Sequence, residues 1–287
     1  MLKTIRLNDK RKRRGCALVL GGFDGVHLGH RRLITRAKLS GAPVGVMTIL
    51  GGKGDALFTL EERLSVFREM GVDFVIPFDF ANICEKSAQE FLAQLEEEFS
   101  PACYVCGKDF RFGKDAQGDA DTITSLSSVP VIQEDLVVVD GEKIATRQLK
   151  QLLAEGQVEK MRLLLGYPFY IIGEVVEGRQ IGRIIGYPTA NILYPAGKIP
   201  LKEGVYSVRA TWEGNSYKGV ANFGKQPTFG GRWIKLEVHL DGFDGNIYGK
   251  TLKVDFLSYL RPVCKFGDLE ALRKQVGEDL RRVREDD

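Results

Sequence analysis

The sequence predicts a parallel-sheet α/β domain over residues 1–166, followed by a small β-barrel domain with a C-terminal helix over residues 167–287. In the first part, short apolar runs alternate with helical patterns, which is typical of a parallel sheet covered by helices. In the second part, short strands are separated by glycine-rich turns, which is typical of a β-barrel or sandwich. The length of 287 residues also favours two domains.

The first domain is expected to alternate four strands with three helices. Two of the helices begin with a capping box, formed by Thr59 with Glu62 and by Ser87 with Glu90. The predicted strands are 17–20, 44–49, 73–77 and 103–106, and the helices are 30–39, 59–70 and 87–99. Sheets of this kind bind ligands at the carboxyl ends of their strands.

The second domain is expected to start after helical segments that end near Gly166. Its predicted strands are 170–176, 204–210, 218–222, 234–239 and 251–256. Residues 268–284 form an amphipathic helix, because Leu269, Leu272, Val276 and Leu280 share one stripe. A segment at 245–251 is one residue short of a phosphate-binding P-loop, but it precedes a strand, so it is interpreted as a turn.

Composition excludes several classes of protein. The chain has 41 Lys and Arg against 38 Asp and Glu, and this near balance gives little support for a nucleic-acid binder. The longest apolar run, at 16–20, is far shorter than the roughly 20 residues that span a bilayer. Five cysteines, an odd number, fit a reducing compartment. We expect a cytoplasmic protein without nucleic-acid or membrane partners, whose basic run at 10–14 is a solvated loop.

A glycine-rich turn with two histidines follows the first predicted strand. Glycines allow a sharp turn and a close approach to a ligand, and a helix N-terminus offers free N–H groups to phosphate. His27 and His30 are three residues apart and face one place if the turn is helical. The candidate phosphate-binding residues of this turn are Gly22, Phe23, Asp24, Gly25 and Gly29.

A second candidate site lies after the fourth strand. The sequence Gly-Lys-Asp-Phe-Arg-Phe-Gly at 107–113 places aromatic and charged side chains at the ligand end of the sheet. Such a loop suits a flat ring together with an anionic group. Its candidate residues are Asp109, Phe110 and Phe112.

A third group of residues lies in the second domain. Gly178, Gly182 and Gly186 suit a mobile flap, and Thr189 and Asn191 offer the hard oxygen ligands that Mg²⁺ prefers. Glu237 is a carboxylate on an otherwise apolar strand, which is the setting of a catalytic base. Phosphoryl transfer requires this combination of metal, phosphate donors and base.

These motifs resemble those of bacterial bifunctional riboflavin kinase/FMN adenylyltransferases, also called FAD synthetases. His-Leu-Gly-His at 27–30 is similar to the nucleotidyltransferase signature HxGH, and 107–113 resembles the family's G-x-D-F-x-F-G segment. Gly-Tyr-Pro-Thr-Ala-Asn at 186–191 resembles the G-[FY]-P-T-A-N motif of riboflavin kinases. Gln-Pro-Thr-Phe at 226–229 and Glu-Val-His at 237–239 follow in family order.

The resemblance implies a nucleotidyltransferase-like first domain and a riboflavin-kinase-like second domain. It implies riboflavin, FMN and FAD as substrates and products, ATP as co-substrate and Mg²⁺ as cofactor. The implied catalytic residues are Glu237, His27 and His30, and the implied metal ligands are Thr189 and Asn191. Lys150, Gly182, Arg183 and Gly186 are added to the phosphate-binding residues. The implied flavin-binding residues are Asp109, Phe110, Phe112 and Arg261.

The first domain departs from the family pattern at two places. The Phe-Glu-Pro-His stretch expected after the second strand is replaced by Ile-Leu-Gly-Gly at 49–52. The segment Ile-Ser-Ser-Thr-x-Ile-Arg is replaced by Ile-Ala-Thr-Arg-Gln-Leu-Lys at 144–150. Two alternatives therefore stand beside the bifunctional enzyme: a riboflavin kinase with a weak or inactive adenylyltransferase domain, and a flavin-binding regulatory protein without turnover.

Overall fold

A computed structural model describes residues 2–4, 15–52, 54–178, 180–228 and 231–285, with backbone alone for 181, 225–228 and 231–235. The chain forms two compact units, Met1–Thr146 and Arg147–Asp287. The predictions for the basic run at 10–14 and for Phe229 lie outside the described residues. Within these ranges, no helix has the length and apolar character needed to cross a bilayer.

The first unit alternates strands and helices along the chain. Its strands are β1 Lys3–Thr4, β2 Ala17–Val19, β3 Val44–Leu50, β4 Phe74–Asp79, β5 Cys103–Gly107, β6 Val131–Glu134, β7 Val138–Val139 and β8 Glu142–Lys143. Its helices are α1 Leu28–Lys38, α2 Leu60–Glu69, α3 Phe80–Ile83, α4 Ala88–Phe99 and α5 Ala120–Leu126, with a 3₁₀ turn at Lys114–Ala116. Both predicted capping boxes are present, at Thr59 and Ser87.

Six of these strands form one parallel sheet in the order β1-β4-β3-β2-β5-β6. The chain passes from β2 to β3 on one side and later returns to β5 on the other side of β2. This reversal makes the carboxyl end of β2 the switch point at which open α/β sheets bind ligands. The glycine-rich turn after β2 therefore lies where a ligand is expected.

The core of the first unit follows the alternation of side chains along β2. Cys16, Leu18 and Leu20 pack against apolar residues of α4 and α5. The buried residues of α1, including Ile34 and Ala37, lie outside that cluster. Neighbouring strand residues point to opposite faces of a sheet, so both faces are covered by helices.

The second unit begins with two helices and continues into a barrel. Its helices are α6 Thr146–Glu155, α7 Val158–Leu165, α8 Ile181–Ile184 and α9 Leu269–Glu285. Its strands are β9 Phe169–Val176, β10 Ala190–Leu193, β11 Gly204–Trp212, β12 Asn215–Thr228, β13 Gly231–Leu240 and β14 Thr251–Arg261. The six strands close in the order β10-β13-β12-β11-β14-β9, and every pairing is antiparallel.

The barrel wall has an inner and an outer face. Ala221 and Phe223 are buried, as are Leu236 and Val238 on the neighbouring strand. On the outer side, Val220 of β12 packs with Leu280 and Val283 of α9. Successive side chains of a strand point to opposite faces. The residues of β12 and β13 that alternate with these inward-facing ones therefore face the space beside α9.

These findings confirm the predicted fold class, including the barrel and the C-terminal helix. The two compact units divide after Thr146, because α6 and α7 form hydrogen bonds to residues of the second unit, and the domain boundary at 166 stays a prediction. The N–H of Lys202 donates to the carbonyl of Leu153, and the N–H of Tyr259 donates to Glu159. The sequence analysis missed β6, β10 and the β7–β8 hairpin, which are short strands of two to four residues.

Candidate functional sites

A cavity of about 300 Å³ opens at the carboxyl ends of β2, β3, β5 and β6, and we call it the sheet-edge cavity. It brings together the glycine-rich turn, the loop after β5 and the segment after β8. The predicted site residues that line it are Gly22, His27, Gly29, His30, Asp109 and Phe110. The fold thus unites two motifs that are about 80 residues apart in the sequence.

Local hydrogen bonds define the protonation of the two histidines in this cavity. His30 Nδ1 lies 2.7 Å from the carbonyl oxygen of Gly25, which only accepts, so Nδ1 carries the proton. His27 is the N-cap of α1, and its Nδ1 accepts from the backbone N–H of His30 at 3.3 Å. A neutral His27 ring therefore holds its proton on Nε2 and offers a donor, whereas His30 Nε2 keeps a lone pair.

Burial keeps both imidazoles neutral. Desolvation lowers the pKa of His27 to about 2 and that of His30 to about 4. The two rings stack with centroids 3.8 Å apart, so a charge on one ring opposes a charge on the other. At neutral pH this pair acts through one N–H donor and one lone pair and carries no positive charge.

Phe23, Asp24 and Gly25 support the turn from behind and do not line the cavity. Phe23 is buried at a positive φ of 51°, and its ring stacks on His30 at 4.4 Å. The Asp24 carboxylate accepts from the N–H of Leu57 and from the buried guanidinium of Arg63, each at 2.8 Å. Their predicted phosphate contacts remain predictions, and the contacts present here hold the histidine pair in place.

The loop after β5 divides its two aromatic residues between the cavity and the core. Phe110 lines the sheet-edge cavity, and its ring stacks on Phe112 at 5.5 Å. Phe112 is buried in the core against Phe91, so it supports Phe110 and lies away from the cavity lining. Asp109 lies at the cavity and pairs with Lys143 at 3.2 Å.

The segment that follows β8 contributes Ala145 and Thr146 to the sheet-edge cavity. Arg111 is the cation among the described residues that line this cavity, against the carboxylates of Asp109 and Asp135. Lys150 lies on α6 in the second unit, so its predicted contact with phosphate remains a prediction.

In the second unit, two cavities meet at Thr189. The flap cavity, of about 170 Å³, is lined by Arg183 of α8, by Thr189 and by the turn at 243–248. The wall cavity, of about 250 Å³, lies beside α9 and is lined by Gly182, Thr189, Glu237 and Arg261. The turn at 245–251 enters β14, as predicted, and thus lacks the helix of a P-loop.

Strand register positions the predicted base and metal ligand. Asn191 of β10 lies directly opposite Glu237 of β13, so the two side chains project from the same face. A Cβ at Gly178 would collide with the side-chain amide of Asn191, which explains the need for glycine there. Asn191 is half-buried and lies outside the described lining of both cavities.

Two glycines of the predicted flap are required for different structural reasons. A Cβ at Gly182 would collide with the carbonyl oxygen of Tyr187, so this glycine allows α8 to approach the segment that contains Thr189. Gly186 has a φ of +81° and follows α8, and it lies outside the described cavity linings. Its predicted contact with phosphate remains a prediction.

Arg261 is held firmly at the edge of the wall cavity. Its guanidinium donates to both carboxylate oxygens of the fully buried Asp279, with the shortest contact at 2.7 Å. Gln275 also donates to Asp279, at 3.1 Å. This pair ties the end of β14 to α9 and keeps an arginine at the cavity, although most of its donors are already engaged.

Comparison with known proteins finds a family match for each of the two units. The family described as FAD synthetase matches residues 9–148, and the family described as riboflavin kinase matches residues 165–286. A bifunctional riboflavin kinase/FMN adenylyltransferase of Haemophilus influenzae is 34% identical over 95% of this chain and 94% of its own length. The Escherichia coli K12 protein of the same name is 32% identical over 99% and 97%.

The chain belongs to the bifunctional riboflavin kinase/FMN adenylyltransferase family. A solved structure from Streptococcus pneumoniae, described as a macrolide-efflux protein, has a similar fold throughout. It covers 98% of both chains with a TM-score of 0.89 and 29% sequence identity.

The sequence analysis assigned no role to three residues that the structure places at the site. Asn222 of β12 lies directly opposite Glu237 and lines the wall cavity. His239 Nδ1 donates to the carbonyl of Pro188 at 2.7 Å, and Tyr187 packs edge-on against its ring. These two contacts fasten the segment that holds Thr189 to β13. A sequence signal existed for Asn222, since asparagine is uncommon within a strand.

Proposed function

We infer that this family member makes FAD from riboflavin with two active sites, one in each unit. The chain phosphorylates riboflavin to FMN with ATP in the second unit and adenylylates FMN to FAD in the first. One observation supports the kinase assignment above all: Thr189 lines both the flap cavity and the wall cavity. Phosphoryl transfer requires the phosphate donor and the hydroxyl group that receives the phosphate to lie side by side, as two adjoining cavities would place them.

In the kinase step, the wall cavity receives riboflavin and the flap cavity receives ATP. Glu237 accepts the proton of the terminal ribityl hydroxyl. The oxygen of that hydroxyl then bonds to the γ-phosphorus of ATP, and the bond between this phosphorus and ADP breaks. Arg183 lies in the flap cavity, where its cation stabilises the phosphates. Apolar residues of the wall cavity, among them Val263, Phe266, Leu272 and Val276, suit the flat flavin ring.

The donors near Thr189 fit Mg²⁺. Thr189 and Asn191 supply a hydroxyl and an amide carbonyl, both hard oxygen ligands, and substrate phosphates commonly complete the shell of Mg²⁺. Within the described ranges, no three carboxylates, histidines or cysteines form a metal-binding group, so the protein alone offers no full cage. When bound, Mg²⁺ neutralises charge on the transferring phosphate.

In the adenylylation step, the sheet-edge cavity receives FMN and ATP. A phosphate oxygen of FMN attacks the α-phosphorus of ATP, and pyrophosphate leaves. No general base is needed, because the FMN phosphate is already an anion. His27 offers its Nε2–H to the phosphates, while Phe110 offers a ring face to the flavin.

A product assay tests the function directly. The protein is incubated with riboflavin, ATP and Mg²⁺, and riboflavin, FMN and FAD are separated by chromatography. We expect FMN first and FAD later. FMN without FAD would contradict the adenylyltransferase assignment, and the absence of both products would favour a flavin-binding protein without turnover.

Loss of metal ligands tests the Mg²⁺ site. Thr189→Val and Asn191→Ala each remove one oxygen ligand, so FMN formation should fall at least tenfold and the Mg²⁺ concentration for half-maximal rate should rise. Arg209→Ala, on the barrel strand β11, is the matched control and should keep both values. An unchanged Mg²⁺ dependence in both ligand variants would contradict the site.

The five cysteines support a reducing location. All five are free thiols, and three of them, Cys16, Cys103 and Cys106, are buried. Disulfides are rare in the cytoplasm, and ATP-dependent conversion of a vitamin takes place where ATP is abundant. We therefore assign the chain to the cytoplasm with small-molecule partners. Recovery of its activity in the cytosolic fraction of cells tests that assignment.

A further inference from the structure

One polar atom in the wall cavity has no partner. The side-chain oxygen Oδ1 of Asn222 is buried and accepts no hydrogen bond in the described chain. A buried acceptor left without a donor is destabilising, and such atoms are uncommon in folded proteins. Asn222 lines the wall cavity, so its side chain belongs to the wall of the space that a bound molecule would occupy.

The position of Asn222 indicates which part of a ligand it meets. Asn191, Glu237 and Asn222 lie in register on three adjacent strands, β10, β13 and β12. Adjacent strands are about 4.8 Å apart, so Glu237 on the central strand β13 has Asn191 on one side and Asn222 on the other. Thr189 and the flap cavity lie beyond Asn191, toward the phosphate donor. Asn222 therefore lies on the side from which the acceptor molecule approaches Glu237.

We propose that Asn222 Oδ1 accepts a hydrogen bond from an inner hydroxyl of the ribityl chain and thereby directs the terminal hydroxyl to Glu237. The proposal rests on the function above and adds a specificity-determining residue to it. Val205, opposite Asn222 on β11, and Val220, on its own strand, are apolar and offer a hydroxyl no acceptor, while Glu237 on β13 is assigned to the terminal hydroxyl. A polyol is the part of the substrate that supplies such donors, since the flavin ring lacks hydroxyls.

Two flavins separate this role from a structural one. Riboflavin carries the ribityl chain, whereas lumiflavin has the same ring with a methyl group in its place. In Asn222→Leu, which keeps the approximate size but removes the acceptor, riboflavin affinity should fall about tenfold. Lumiflavin affinity should stay within twofold of wild type. Fluorescence titration of the full-length protein measures both.

Stability provides a second readout. Replacing an unpartnered buried oxygen with an apolar group removes a desolvation penalty, so Asn222→Leu should raise the unfolding temperature without ligand by a few degrees. Asn222→Ser restores a shorter hydroxyl acceptor and should recover part of the riboflavin affinity. Asn215→Ala, at the exposed start of the same strand, is the matched control and should change neither quantity.

Other outcomes would overturn the proposal. Equal losses for riboflavin and lumiflavin would indicate a packing role for Asn222. Unchanged riboflavin affinity with a raised Mg²⁺ requirement would make Asn222 a metal ligand instead. Unchanged affinity with a lower kcat would make it a support for Glu237. A wild-type chain that binds neither flavin would overturn the assignment of the wall cavity and, with it, this inference.

Discussion

The sheet-edge cavity and the wall cavity position their functional groups by different means. In the sheet-edge cavity, His27, His30 and Phe110 lie on a turn, a helix start and a loop beyond the ends of strands. In the wall cavity, Glu237 and Asn222 project from the middle of paired barrel strands. Loops tolerate substitution better than paired strands, so we expect the sheet-edge cavity to vary more among relatives than the wall cavity.

The electrostatics of the two sites differ as well. The histidines of the sheet-edge cavity are neutral, and Arg111 is the described cation of its lining. In the flap cavity, Arg183 shares the lining with one carboxylate, Asp244, whereas Arg111 shares the sheet-edge cavity with two, Asp109 and Asp135. Carboxylates repel phosphate and arginine attracts it, so the flap cavity is better suited to a triphosphate. We expect the kinase step to saturate at lower ATP than the adenylylation step.

Glu237→Gln should have the largest effect and should be confined to one unit. The substitution keeps the shape but removes the proton acceptor, so FMN formation should fall about a hundredfold or more. FAD formation from added FMN should be unchanged, because Glu237 lies outside the unit that holds the sheet-edge cavity. Steady-state rates for both reactions check this. Near-normal riboflavin phosphorylation in the variant would contradict the assignment of Glu237 as the general base.

His27→Ala is the reciprocal test. It removes the Nε2–H donor and the N-cap of α1, so FAD formation from FMN should fall roughly tenfold to a hundredfold. Riboflavin phosphorylation should remain at its wild-type rate. His239→Ala in the other unit is the matched comparison, and we expect it to slow phosphorylation alone, because His239 fastens the Thr189 segment. Parallel loss of both activities in either variant would contradict the separation of the sites.

Ala145→Ser should strengthen phosphate binding at the sheet-edge cavity and so reduce the expected difference between the two ATP sites. Ala145 lines the sheet-edge cavity, and the family pattern has serine at this position. A restored hydroxyl adds about 1 kcal/mol of phosphate binding, so FAD formation at low ATP should rise several-fold. The kinase rate should not change. If FAD formation already keeps pace with the kinase step in the wild type, the departures from the pattern are tolerated substitutions.

Acid should destabilise the first unit through its histidines. Both rings are neutral in the folded protein, whereas in the unfolded chain they bind protons below their ordinary pKa of 6.5. The unfolded state then holds more protons, so stability falls as the pH drops below 6.5. The loss from His30 is complete near pH 4, at roughly 3 kcal/mol. Denaturant unfolding from pH 7 to 4 measures it, and His30→Asn should make the profile less steep, with the contribution of His27 remaining.

The sequence predicted the architecture because periodicity and turn residues are local signals. The capping boxes at Thr59 and Ser87 and the long barrel strands all formed as expected. The short strands β6 and β10 were missed, since four residues carry too little pattern and their pairing partners are distant in sequence. Both the two histidines and the loop after β5 were expected at the ligand end of the sheet, and the structure places them at one cavity, which the sequence analysis did not predict.

The finer roles within the sites depend on tertiary contacts that spacing does not encode. Phe112 faces the core because Phe110 stacks over it on the cavity side. Asp24 is engaged by Arg63, a helix residue 39 positions away in the chain. The partnership of Arg261 with Asp279 likewise requires α9 to lie on the barrel wall. These assignments required the three-dimensional structure.

The alternation of side chains along β13 has a consequence for how this protein evolves. Leu236 and Val238 face the barrel interior, while Glu237 and His239 face α9. Inserting or deleting one residue within the strand would exchange these two sets, placing a carboxylate in the core and a leucine on the face beside α9. A point mutation changes one side chain, whereas a single-codon insertion or deletion would displace every strand residue of the proposed kinase site. Length variation among descendants should therefore collect in the turns between strands.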